Sequence, residues 1–125
     1  MGNAQEEALA LHAAGYNCAQ SVLISAENRT HFTKEEAAAI ASGFGGGARC
    51  RELCGAISGA VIAFGRVSQR SGRSVSEIAV LQKTFINEFQ SRFGALRCAD
   101  LKSNRIPCDE IIAFSADVLD RLLDE

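Results

Sequence analysis

The chain predicts an all-α fold, a compact bundle of five to six helices with a Gly-rich loop ahead of the central helix. Three observations carry that reading. Asn17 with Gln20, Thr33 with Glu36 and Ser74 with Glu77 repeat the spacing of a helix capping box. Apolar residues recur with the helical period, as Ile78, Leu81, Phe85, Phe89 and Phe93, and again as Ile111, Phe114, Val118 and Leu122. No stretch alternates in the strand manner for long.

The elements follow in order. Residues 3–14 form an Ala/Leu/Glu-rich helix ending at Gly15. Asn17 opens a second helix, through about Asn28. Thr33 opens a third, EEAAAIAS, which stops at Gly43. After the glycine loop an apolar helix runs from about Glu52 to Gln69. Ser74 caps a fifth, which ends at Phe93 with Gly94 behind it. Residues 95–106 read as loop or a short turn. Pro107, the only proline, suits the first position of a last helix running to the end. Connections are short, so neighbours are expected to pack antiparallel in one domain spanning 1–125.

Bulk properties narrow the function classes. At 125 residues, 47% hydrophobic and 22% charged, the chain is an ordinary globular domain. Its net charge of -2 gives no broad pull toward nucleic acid. The longest apolar stretch, Leu53 to Gly65, is too short to span a bilayer. The opening MGNAQEEALALHAAG carries acids where a secretory signal needs an apolar run. We therefore expect a cytoplasmic protein with no membrane insertion. In a reducing compartment its five cysteines read as thiols, metal ligands or redox partners rather than a disulfide framework.

GFGGGARCRELCGAISGA, residues 43–60, is the most informative stretch. It lacks the Gly-Lys-Ser/Thr of a phosphate-binding Walker loop, and it follows a helix rather than the strand that a dinucleotide fingerprint requires. Gly55 and Gly59, with Ala56, Ala60 and Ala63, leave a face of low bulk for a close-packed helix. Glycine costs a helix about 1 kcal/mol, so some such return is needed. That face and the phenylalanine stripe could also serve a homo-oligomer, and self-association is expected. Gly45, Gly46 and Gly47, beside Arg49 and Arg51, suit either a tight turn or a small-anion site.

Cys18 and Cys108 each fall in the first turn of a helix, and Cys50 and Cys54 flank the start of the central one. Only Cys98 lies outside an expected helix start. Helix N-termini favour thiolate over thiol, the form that both nucleophiles and metal ligands require. Packing as small hydrophobes is the competing reading. Cys54 is expected to be the most reactive thiol, with a pKa below the ordinary value of about 8.5, because the helix dipole and the arginines favour its charge. His12 and His31 read as solvated or lightly packed. Asp109 and Glu110 are explained by compensation of the helix dipole.

GYNCAQSVL (15–23), GFGGG (43–47), CGAISGA (54–60), RCADL (97–101) and Cys108 together resemble the family named C_GCAxxG_C_C after its cysteine pattern. The resemblance implies a small intracellular helical protein with redox activity, often linked with transport functions. It also implies that Cys18, Cys54, Cys98 and Cys108 are the working cysteines. They would cycle between thiol and disulfide with a redox partner, or hold a metal such as zinc or an iron–sulfur cluster, and no cofactor at all stays open. Cys50 departs from the pattern as an extra thiol. The alternative is a binding module with structural cysteines and an anion- or partner-binding loop at Arg49 and Arg51.

Overall fold

The computed structural model describes residues 3–124, and among them every regular element is a helix. In order these are α1 (Ala4–Ala13), α2 (Cys18–Ser25), a short α3 (Glu27–Thr30), α4 (Lys34–Ala41), α5 (Gly55–Ser71), α6 (Val75–Phe93), a short α7 (Cys98–Ser103) and α8 (Cys108–Leu123). The all-α bundle is therefore as expected, with two short helices added to six longer ones. None of these helices is long and apolar enough to cross a membrane.

Local chemistry explains most of the boundaries. All three capping boxes form, each with the cap side chain accepting from the third residue's N–H and that residue's side chain accepting in return. Gly94 closes α6 with φ +79°, its N–H bonded to the Gln90 carbonyl.

Four boundaries differ from expectation. The helix opened by Asn17 breaks at Ala26, where the Ser25 hydroxyl donates to the Val22 carbonyl at 2.7 Å and competes with the helical pattern. The central helix starts at Gly55 rather than Glu52, because Leu53 pairs with Arg97 in an isolated antiparallel bridge. Pro107 is a cap rather than the first helical residue, its ψ of 138° being extended. The expected loop 95–106 contains α7, so Cys98 also begins a helix. The last helix ends at Leu123, and Met1, Gly2 and Glu125 of the expected 1–125 domain lie outside the described residues.

The core forms around α5, which packs against α2, α6 and α8. Phe64 of α5 meets Phe85 of α6 edge-on at 6.0 Å, and Phe89 and Phe93 extend the contact to Phe114 of α8 at 6.5 and 5.2 Å. Phe64, Phe85 and Phe89 are fully buried, each stabilising the fold by about 1.5–3 kcal/mol. The two apolar stripes are thus core, as their period indicates.

The low-bulk face of α5 packs against α2 of the same chain. A Cβ on Gly59 would lie 2.6 Å from the Ala19 carbonyl oxygen, and one on Gly55 would lie 2.5 Å from Cys18 Sγ. Gly65, on the same helix, faces open space. Gly59→Ala should therefore cost about 1–3 kcal/mol by forcing α2 and α5 apart. Gly65→Ala should stabilise by about 0.5–1 kcal/mol through helix propensity alone. Urea unfolding of the two variants checks this; equal effects would show that α2 does not press on Gly59.

Candidate functional site

Between α4 and α5 the backbone takes an unusual path. After a single 3-10 turn at Ser42–Phe44, Gly46, Gly47, Ala48 and Arg49 are all left-handed, with φ of 64°, 65°, 60° and 62°. Arg51 is left-handed as well, at φ 64°. Non-glycine residues pay about 1–2 kcal/mol each for this conformation, so the surroundings must hold it. The Gly47 carbonyl accepts from the Glu52 N–H at 3.0 Å, and the Arg49 guanidinium donates to the Ser42 carbonyl at 3.1 Å. A Cβ on Gly47 would meet the Glu52 nitrogen at 2.5 Å and Cys98 Cβ at 2.9 Å; one on Gly45 would meet Asn17 Cγ at 2.6 Å. These glycines let the loop press against the cap of α2 and the start of α7.

The Leu53–Arg97 bridge then orders two of the cysteines. The Cys54 N–H donates to the Leu96 carbonyl at 2.9 Å, and the Cys98 N–H to the Glu52 carbonyl at 2.6 Å. In this antiparallel pattern Cys54 and Cys98 are diagonal neighbours on one face. Cys18 comes from the opposite side, its sulfur lying against Gly55.

The result is a cavity of about 190 Å³ lined by Cys18, Cys54, Cys98 and Cys108, with His12 and Lys102. Asn17 and Gly46 complete its loop side. The four sulfurs arrive from four separate elements: the first residues of α2, α7 and α8, and the cap of α5. All five cysteines are free thiols. Cys50 is exposed, lies outside the cavity and points its thiol at the Gly47 carbonyl at 3.5 Å. Neither Arg49 nor Arg51 lines the cavity.

Burial reverses the expectation for Cys54. The residue is 6% exposed, and desolvation pushes its thiol up to about 12. The Ala56 and Ile57 N–H groups at the start of α5 pull the other way but do not overcome the loss of water, and Cys18 and Cys98 nearby add to the rise. The arginines thought to sustain a Cys54 thiolate are not among its influences. Cys108 sits at the rim, exposed on its outer side; partial enclosure raises its pKa, the Lys102 ammonium opposes that rise, and Cys18, Cys98 and Asp109 add to it.

Two ionisable lining residues were not assigned to the site from sequence. His12, expected to be solvated or lightly packed, is half-buried, and its Nδ1 lies 2.7 Å from Asp109 Oδ1. Lys102 is the cation of the cavity wall. A lone histidine in an Ala/Leu helix and a lysine in a presumed loop carry no spacing signal.

Among the described residues no three His, Cys, Asp or Glu side chains converge closely enough to hold a metal ion.

A helical bundle that delivers four thiols from four helix starts to one cavity defines a small cysteine-site protein. The chain belongs to the C_GCAxxG_C_C family, whose model, described as "Putative redox-active protein (C_GCAxxG_C_C)", matches residues 16–122. No curated protein and no solved structure matches it.

Depth sets the expected order of reactivity. Limited iodoacetamide near neutral pH should label Cys50 and Cys108 first and leave Cys54 and Cys98 unlabelled until the protein unfolds. Peptide mapping reads the order directly, and early labelling of Cys54 would contradict its burial. The raised Cys54 pKa also has a stability signature. Below about pH 9 both folded and unfolded chains hold this proton. Above it the unfolded chain releases the proton while the folded chain keeps it, up to about pH 12. Unfolding free energy should fall across that window in wild type and fall less steeply in Cys54→Ala.

Proposed function

We propose that this chain is a thiol–disulfide redox protein of the reducing cytoplasm, with Cys18, Cys54, Cys98 and Cys108 as its working thiols. The observation behind this reading is their shared cavity, supported by the family's redox description. Thiols gathered from distant parts of the chain are what reversible disulfide formation requires.

Exposure falls along the set and suggests a direction. Cys108 is exposed, Cys18 half-buried, and Cys98 and Cys54 buried. The rim thiol meets an external disulfide, R–S–S–R. Its thiolate attacks one sulfur, a protein–S–S–R bond forms, and R–S⁻ leaves and takes up the released proton. A second cavity cysteine attacks the protein sulfur and expels the other half as R–SH. Exchange then carries the disulfide inward to Cys18 and Cys54, which approach across Gly55. In total two protein thiols and R–S–S–R become one protein disulfide and two R–SH, with two electrons and two protons moved.

Incubation of the reduced protein with glutathione disulfide, followed by thiol counting and peptide mapping, tests this. Wild type should fall from five free thiols to three or fewer and yield a Cys18–Cys54 linked peptide. Cys108→Ser should react much more slowly. Cys54→Ser should stay folded, serine being a strong helix cap, but fail to form that peptide. Five free thiols at equilibrium, with no linked peptide, would sink the proposal.

A further inference from the structure

We propose that His12, held by Asp109, is the proton acceptor for the Cys108 thiol at the cavity rim. This deepens the redox reading and rests on it for its purpose, but not for its test. The family match begins at residue 16, so His12 lies before the segment that the family describes.

The geometry starts from Asp109, the residue directly after Cys108 in the first turn of α8. Its Oδ1 lies 2.7 Å from His12 Nδ1, which pins the ring of α1 beside the residue carrying the thiol. Both His12 and Cys108 line the same cavity of about 190 Å³. When Nδ1–H donates to the carboxylate, Nε2 keeps the lone pair and is the ring nitrogen able to accept a proton. A nucleophile, a histidine and a carboxylate that orients it form the general arrangement for thiol activation. Asp109 is here a positioning residue.

The chemistry needs such a base. Thiol–disulfide exchange proceeds through thiolate, and the enclosure of Cys108 favours its thiol. In the step, the Cys108 S–H proton passes to His12 Nε2, giving thiolate and imidazolium. The thiolate attacks R–S–S–R, the S–S bond breaks as the new one forms, and the departing R–S⁻ takes the proton back from the imidazolium. The titratable groups around His12 are Asp109 and Cys108 from α8, Cys18 from α2, Cys98 and Lys102 from α7, and Cys54 at the start of α5. Lys102 also favours the thiolate, so a His12 variant should retain some reactivity at high pH.

The test measures the iodoacetamide labelling rate of Cys108 by peptide mapping from pH 5.5 to 9.5, with exposed Cys50 of the same molecules as internal reference. In wild type the Cys108 rate should already be high near neutral pH, below its own alkaline rise. His12→Gln should lower the rate near neutral pH by about tenfold or more, a general base being worth 10²–10⁴-fold, and leave only the thiol's own alkaline rise. His12→Asn should give the same loss, with Asp109 left in place because its charge itself raises the Cys108 pKa, and the Cys50 rate should not change in either variant. Helical circular dichroism confirms that each variant is folded; if His12→Gln is not, His12→Asn decides alone. A Cys108 profile superimposable on wild type in a folded variant overturns the inference. Glutathione disulfide oxidation, run in parallel, separates the two ideas. Loss of the histidine effect with intact disulfide formation sinks only the proton role, while a histidine effect without any disulfide sinks only the redox reading.

Discussion

Most of the site depends on the contact between α2 and α5 across bare glycine backbone. At Gly59 the Ala19 carbonyl fills the space where a side chain would begin, and at Gly55 the Cys18 sulfur does so. Interiors are packed to crystal-like density, so a methyl group at either position would have to move a helix rather than occupy a void. That approach sets the distance between Cys18 at the start of α2 and Cys54 at the cap of α5. It also places α5 against α6 and α8, and through Phe64, Phe85, Phe89 and Phe114 the aromatic core follows.

Two opposing electrostatic effects act on the thiols gathered there, and depth decides between them. Helix N-termini favour thiolate by their partial positive charge, an effect confined to about one turn and worth about 0.3–1 kcal/mol at exposed sites. Loss of water favours thiol, and for a fully buried group it shifts a pKa by up to about 3–5 units. At Cys54 the second wins. At the rim, where enclosure is partial, Lys102 reaches Cys108 as well. The fold grades the four cysteines from exposed Cys108 to buried Cys54 and Cys98.

The left-handed run from Gly46 to Arg49 is the strained part of this arrangement. It is stabilised from outside, by the Gly47–Glu52 bond, the Arg49–Ser42 bond and the bridge between Leu53 and Arg97. The same bridge moves the start of α5 from Glu52 to Gly55 and gives α7 its beginning at Cys98. Arg49 thereby has a structural partner in the Ser42 carbonyl.

What the sequence determined was whatever depends on neighbours a few residues apart. The capping boxes at Asn17, Thr33 and Ser74, the stop at Gly94 and the apolar stripes of α6 and α8 are all interactions within one or two turns, so residue types at fixed spacing suffice to specify them. Resemblance to the family's cysteine pattern named four candidates. Tertiary structure alone decided that these four line one cavity, that Cys50 does not, and that Cys54 lies too deep to favour its thiolate. It also decided that α7 forms without a capping side chain, and that His12 meets Asp109 from 97 residues away. Those outcomes rest on desolvation and on long-range pairing, which are set by the packing of whole helices and leave no mark at short spacing.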